Sequence, residues 1–284
     1  MRIETGLTGR TFQEIAESAR RAEALGFDGL VTAETGHDPF FPLLIAAEHT
    51  SRVTLGTGVA IAFPRSPFVT AQISWDLQHF SSGRFLLGIG TQVKGHNERR
   101  YSTPWVGPPG PRLREYILCL RAIFDTFQNN TPPRFQGKYY QFTLISPFFN
   151  AGPIEHPHVP IYISAVGPYM CRLAGELCDG VRLHGFNTLK YTKEVILPNM
   201  EAGAKKAGRS LKDIDIVGGG FIITGRNREE IERAKQATRS QIAFYGSTRT
   251  YHGVLEVHGW GEVGMRLHQL SLEGKWQEMA SLIT

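Results

Sequence analysis

Short apolar runs alternate along this chain with amphipathic stretches of helical period, and that alternation restricts the fold to parallel β-α units. The first unit shows the pattern. Ile3 to Leu7 reads as a strand, and Thr11-Phe12-Gln13-Glu14 sets a threonine and a glutamate at capping-box spacing. Phe12, Ile15, Ala16, Ala19, Ala22 and Leu25 then share one helical face, and Gly26 supplies a left-handed stop before a strand from Gly29 to Ala33. The order repeats with a helix from Pro42 to His49, a strand from Val53 to Val59 and a helix from Pro67 to Phe80. Next comes the apolar run Phe85 to Ile89, set between Ser82-Gly83 and Gly90, which reads as a strand buried on both faces. Further on, helices over Arg112 to Phe127, Pro168 to about Leu177, Tyr191 to Ala207 and Glu229 to Tyr245 alternate with strands over Pro160 to Ser164, Gly180 to His184 and Ile214 to Thr224. Pro198 is expected to kink or restart its helix.

Units of this kind join through right-handed crossovers. A doubly wound sheet would carry a glycine-rich dinucleotide turn after its first strand, but Thr5-Gly6-Leu7-Thr8-Gly9-Arg10 has two glycines at the wrong spacing. A (β/α)8-type TIM barrel is the fold the spacing favours, as a single domain over residues 1–284. Two segments leave the rhythm. Residues 129–158 contain Asn-Asn-Thr-Pro-Pro and a hairpin pattern around Gly137, and read as a lid or an interface. Residues 251–284 are an amphipathic, aromatic, helical tail without a clear eighth strand.

Composition narrows the function. Hydrophobic residues at 41% and charged residues at 20% fit a soluble globular protein and exclude a disordered one. The net charge of +5 is spread along the chain, so no nucleic-acid footprint is expected; it suits a small anionic ligand. Cys119, Cys171 and Cys178 form no C-x-x-C pair, which points to a reducing cytosol and no zinc site. No signal-peptide pattern or membrane span is read, so a cytoplasmic, soluble protein is expected.

Several motifs then fall in order: Ala24-Leu25-Gly26-Phe27-Asp28, Ser82-Gly83-Arg84-Phe85 with Leu87-Gly88-Ile89-Gly90, Pro160-Ile161-Tyr162-Ile163-Ser164-Ala165 with Gly167, and Asp179-Gly180. Together they resemble the bacterial luciferase-like superfamily, and within it the deazaflavin (coenzyme F420)-dependent oxidoreductases. Gln141-Phe142 and Pro147-Phe148-Phe149-Asn150-Ala151-Gly152-Pro153 resemble a branch usually assigned to F420. The family closes its barrel with an eighth strand, which this sequence does not show.

The candidate site residues follow the strand ends. For Gly56-Thr57-Gly58-Val59, spacing alone fits both glycines under close-packed helices and a functional bulge. The resemblance implies a non-proline cis bond at Gly58-Val59, supporting the central ring of the deazaflavin. Thr91, Gln92, Lys94 and His96 follow the central strand as a polar loop; Thr91 and Gln92 could donate to the cofactor, and Lys94 and His96 could face its acidic tail or the substrate. In Ala165-Val166-Gly167-Pro168-Tyr169-Met170, an ordinary turn and an anion-holding helix start are both compatible with spacing. The resemblance implies the cofactor phosphate on amides of this turn, near Val166, Gly167 and Met170.

Proton transfer falls to Glu34 and His37, just past the second strand, where a carboxylate near an imidazole can tune it. Related deazaflavin enzymes often carry Asp-His where this chain has Glu34-Thr35, so His37 is a displaced substitute. Phe40 and His184 are candidates for holding the substrate, and no histidine or acidic spacing suggests a metal. The expectation is hydride transfer between F420 and a small, mostly apolar alcohol, aldehyde or ketone, in a homodimer as is common in the family. The alternatives are an FMN-dependent monooxygenase on the same barrel and a non-catalytic luciferase-like binding subunit.

Overall fold

Thr11 caps the first helix as its spacing to Glu14 predicts: its Oγ1 accepts the Glu14 N–H at 3.2 Å, and the Glu14 carboxylate accepts the N–H groups of Arg10 and Thr11. At the other end Gly26 takes φ +89°, the left-handed value that lets the chain turn into the next strand. In this computed structural model, which describes residues 1–284, such units are arranged in two parts: residues 1–164 with 177–180, and residues 165–176 with 181–284.

The first part contains β1 (Glu4–Gly6), α1 (Phe12–Ala24), β2 (Gly29–Thr32), α2 (Phe40–His49), β3 (Thr54–Thr57), β4 (Ala60–Ile61), α3 (Pro67–Phe80), β5 (Phe85–Gly90), α4 (Lys94–Arg99), α5 (Pro109–Asn129), β6 (Phe135–Gln136), β7 (Gln141–Phe142) and β8 (Ile161–Ala165). Strands β1, β2, β3, β5 and β8 lie side by side in that order, all parallel, with β4 also on β5. This is the curled, helix-covered parallel sheet of a TIM-barrel fold. Every residue of β5 is buried, as its unbroken apolar run requires. Leu30, Leu55, Leu87 and Ile89 from the strands meet Leu43, Trp75, Leu113, Ile117 and Leu120 from the helices as the fully buried core.

Polar side chains fix where the strands begin. Glu23 accepts the N–H groups of Ser51, Arg52 and Val53 on the way into β3. Arg84 donates to the carbonyls of Ala47, Thr50 and Val53, placing a cation at the C-terminus of α2, where the helix dipole favours one. That is the physical content of Ser82-Gly83-Arg84-Phe85. Asp179 accepts the Ile161 N–H at 2.7 Å and is paired with Arg121 and His158.

The insertion is the expected hairpin, β6 against β7. Glu115 of α5 accepts three successive N–H groups from its turn, those of Lys138, Tyr139 and Tyr140. Trp75 and Gln78 of α3 donate to the carbonyls of Gly152 and His158, and Gln128 accepts from Ile154. The segment is thus tied along its length to α3 and α5, and Leu144, Phe148 and Phe149 stand exposed on it.

The second part contains α6 (Pro168–Leu177), β9 (Gly180–Leu183), α7 (Leu189–Tyr191), α8 (Leu197–Lys206), β10 (Asp215–Val217), α9 (Arg228–Gly246), α10 (His252–Glu256), α11 (Gly261–Leu272) and α12 (Trp276–Ser281). Helices α6 and α8 meet through glycine: a Cβ on Gly175 would strike the Met200 carbonyl oxygen, and one on Gly203 the Arg172 carbonyl oxygen. Ala243, Leu267, Leu270 and Met279 form a buried cluster joining α9, α11 and α12.

Four sequence expectations change. The strand expected over Val53–Val59 is Thr54–Thr57, and the Gly58 N–H just past it still donates to the Thr32 carbonyl of β2. The strand expected over Ile214–Thr224 is only Asp215–Val217, because Gly218, Gly219 and Gly220 bring no side chains to pack. The helix around Pro198 runs on from α7 through a π turn, Thr192–Ile196, into α8, of which the proline is the second residue. Lys94 and His96 lie on the short helix α4 rather than in a loop. No strand follows Val217, and no helix is long and apolar enough to cross a membrane.

Candidate functional site

Past the end of β2 the chain turns through Glu34, whose carboxylate is nearly buried and fully engaged. Oε2 accepts the Ile61 N–H and the Arg65 guanidinium, both at 2.7 Å, and Oε1 accepts the Tyr101 hydroxyl at 3.3 Å. Arg65 donates with its other nitrogen to Asp38 at 2.8 Å. Burial alone would pull this guanidinium down, but the hydrogen bonds and charges of Glu34 and Asp38 outweigh it and hold its pKa above the ordinary arginine value. Burial and the Glu34 charge raise the Tyr101 phenol in turn.

His37 stands exposed on the bend between Glu34 and Asp38. Phe40 does not face solvent. It is 5% exposed and lies 5.5 Å beneath the Arg65 guanidinium, whereas the next ring, Phe41, is 72% exposed.

At the end of β3 the Gly58 N–H donates to the Thr32 carbonyl at 2.6 Å, and the Val59 carbonyl accepts the Glu34 N–H at 3.3 Å. The Gly58-Val59 bond is cis, where the resemblance implies one. Gly90, closing β5, approaches this segment so tightly that a Cβ would come 2.8 Å from Val59 Cγ2 and 2.7 Å from Ser164 Oγ. Thr91 and Gln92 follow, both half-buried, with Gln92 at φ +54° and its Oε1 accepting the Val93 N–H. Lys94 is exposed and 3.9 Å from Glu98, and His96 is exposed on α4. This geometry joins Glu34, Gly58 and Val59 directly, and Thr91 and Gln92 leave the neighbouring strand.

The second part carries the other candidates. Ala165 is buried at the end of β8, and the Val166 carbonyl accepts the Tyr191 hydroxyl at 3.0 Å and the Cys171 thiol at 3.7 Å. Gly167 accepts the Cys171 N–H and so stands where α6 begins. Pro168 has no N–H to offer, and the N–H groups of Tyr169 and Met170 belong to the first turn, which has no intrahelical acceptors. A Cβ at Gly167 would meet nothing within 4 Å, so the space before these donors is open. His184 follows β9 and is half-buried against Tyr245 and Tyr251; burial holds its pKa below the usual histidine value.

Arg65, Asp38 and Tyr101 are members of the Glu34 cluster that sequence reasoning did not single out. Arg65 was findable as the one charged side chain after the apolar run Ala60 to Phe63, while Tyr101 becomes visible only when the chain after α4 folds back on Glu34. Asn97 is also new: it is buried, and its amide nitrogen donates to the carbonyls of Thr91 and Val93, shaping the turn after β5.

The family described as luciferase-like monooxygenase matches residues 2–284. An uncharacterized protein of Mycobacterium tuberculosis is 44% identical over 280 residues, covering 98% of this chain and 82% of that one. The F420-dependent glucose-6-phosphate dehydrogenase of Intrasporangium calvum is 32% identical over 221 residues, covering 72% of this chain and 63% of the other. Among solved structures, the coenzyme F420-dependent tetrahydromethanopterin reductase of Methanopyrus kandleri aligns with TM-score 0.75 and 26% identity, over 99% of this chain and 82% of that chain.

Proposed function

Because the chain belongs to the luciferase-like monooxygenase family, whose members include F420-dependent reductases and dehydrogenases, we propose that it is itself an F420-dependent oxidoreductase. Its substrate is a small, mostly apolar alcohol, aldehyde or ketone. The observation that carries this reading is the whole-chain likeness to an F420-dependent reductase, at TM-score 0.75.

The residues present fit such a cofactor. A ring with polar edges needs fixed donors beside a bare backbone, and Thr91, Gln92 and the Gly58-Val59 segment supply them. A phosphate needs unpaired amides with open space before them, and Val166, Gly167 and Met170 at the start of α6 supply those, with buried Ala165 fixing the strand end behind them. Lys94 and His96, both exposed, are placed for acidic groups of the cofactor or substrate. When bound, F420 supplies the hydride chemistry.

The protein's part is orientation and the proton. His37, exposed on its bend, exchanges the proton at the substrate heteroatom. Glu34 serves it indirectly, since its oxygens are committed to Ile61, Arg65 and Tyr101 and hold the turn on which His37 stands. Phe40 supports this ion pair from below. A homodimer is proposed as well, on the exposed apolar side chains of α2 and α3, Phe41 at 72% and Phe80 at 59%; size-exclusion chromatography checks it.

The test is a fluorescence titration of the purified protein with F420 and, in parallel, with FMN. Micromolar binding of F420 alone supports the proposal, preference for FMN moves the chain to the monooxygenase chemistry of its family, and binding of neither favours a non-catalytic role.

A further inference from the structure

Arg112 is a buried cation without a counter-ion. It is 8% exposed and forms no ion pair, and every group it meets is neutral. Nε donates to the Tyr140 hydroxyl at 2.9 Å, Nη1 donates to the Pro104 carbonyl at 3.1 Å, and the guanidinium carbon stands 4.1 Å from the centroid of the Phe63 ring. Nη2 hydrogen-bonds to no protein group and reaches solvent. Glu115, one turn further along α5, gives its oxygens to the amides of Lys138, Tyr139 and Tyr140.

Buried charges are ordinarily paired, because taking them out of water costs more than neutral hydrogen bonds return. The Phe63 ring offsets part of that cost but carries no net charge. Position makes the cation less favourable still: Arg112 lies in the first turn of the 21-residue helix α5, where the helix dipole favours an anion. Arg65, by contrast, meets two carboxylates, Glu34 and Asp38. Arg112 is held just as firmly and keeps one nitrogen for an anion from outside.

The surroundings limit the kind of anion. Phe63 lies two residues past β4, between Ile61, whose N–H is held by Glu34, and Arg65, so the guanidinium stands over the segment that anchors the Glu34 cluster at the strand ends. Trp105, half-buried, meets the Phe63 ring edge-on with centroids 5.9 Å apart, and the Tyr140 ring is 5.7 Å from the guanidinium carbon. One guanidinium balances the single charge of a carboxylate, whose plane it matches, better than the near-double charge of a phosphate. The aromatic rings beside it suit an apolar body.

We infer that Arg112 is a binding residue for a substrate carboxylate: Nη2 donates to the carboxylate, and Trp105 packs against the apolar body that bears it. The inference deepens the proposed oxidoreductase function and rests on it, giving the mostly apolar substrate one anionic end.

The experiment is a 19F NMR titration of the full chain, without F420, using 4-fluorophenylacetate and 2-(4-fluorophenyl)ethanol, which share a ring and differ in the carboxylate. The wild type should bind the carboxylate about tenfold or more tightly than the alcohol, the range of a hydrogen bond to a charged group. Arg112→Gln should remove that preference and leave alcohol binding unchanged. Tyr140→Phe, which frees Nε without removing the charge, should give a smaller loss of the same sign. Equal or undetectable binding of the two probes by the wild type, or a preference that survives in Arg112→Gln, would overturn the inference. So would displacement of 4-fluorophenylacetate by added F420, which would assign Arg112 to the cofactor's own acidic groups. The wild-type comparison needs neither a variant to fold nor the cofactor to bind, so its failure and failure of the F420 titration are distinguishable.

Discussion

Arg65 lies between two carboxylates, its Nη1 2.7 Å from Glu34 and its Nη2 2.8 Å from Asp38. The Glu34 end is the more buried, with 7% of that side chain exposed against 33% for Asp38. Through Glu34 the pair also grips the Ile61 N–H and the Tyr101 hydroxyl, so one guanidinium fixes the exits of three segments around the candidate site.

Removing one member of a pair this buried leaves an uncompensated charge, which typically costs about 3 to 5 kcal/mol. Arg65→Met is expected to lower the unfolding free energy by that order, seen as a lower denaturation midpoint in urea, and to weaken F420 binding. Arg65→Lys should recover little, since one ammonium cannot reproduce the planar fork that meets both carboxylates. A wild-type midpoint in Arg65→Met would remove the pair from the account of this site.

His37 makes no contact on which the fold depends, and replacing it with alanine should leave the melting temperature within a degree or so. Turnover should fall by about a hundredfold or more, the usual range for a lost general acid or base, with F420 affinity unchanged. Turnover at the wild-type rate would exclude His37 from proton transfer.

Asp179 makes the acid limb of stability predictable. Burial would raise its pKa, but the hydrogen bond from His158, the charge of Arg121 and the Ile161 N–H overcome that and hold it at about 2, below the reference 3.8. The unfolded chain thus binds the proton more readily. The contribution, about 2 kcal/mol, is complete above pH 4 and disappears as the pH falls toward 2. Denaturation across that window should show a slope that flattens in Asp179→Asn. His184 acts in the same sense higher up: its lowered pKa means stability is lost as the pH falls below the ordinary histidine range.

Gly175 and Gly203 predict a pair of steric failures. Each faces a carbonyl oxygen of the opposite helix, so even a methyl group forces α6 and α8 apart. Gly175→Ala and Gly203→Ala should each cost about 1 to 3 kcal/mol, despite alanine's better helix propensity. A stabilised alanine variant in thermal unfolding would show that the helices relax freely.

The parts of this fold that were legible from sequence are those governed by local chemistry. The Thr11–Glu14 box, the Gly26 stop and the apolar run of β5 announce themselves within a few residues. The end of β10 could not be read the same way, because Ile214 to Thr224 has the composition of a strand interrupted by glycines whose effect depends on what packs beside them. The candidate site divides similarly. Gly58-Val59 and the Val166–Met170 turn came from motif resemblance, whereas the bonds from Arg65 and Tyr101 to Glu34 span 31 and 67 positions and arise only from folding. Those long-range bonds commit both oxygens of Glu34 to partners that its place in the sequence does not announce.

The hairpin of the insertion sits on the carboxylate of Glu115, three consecutive amides converging on one anion. Its exposed Leu144, Phe148 and Phe149 are therefore displayed from a segment that is already ordered. A molecule covering them has little chain entropy left to remove, so its affinity can come from contact area alone.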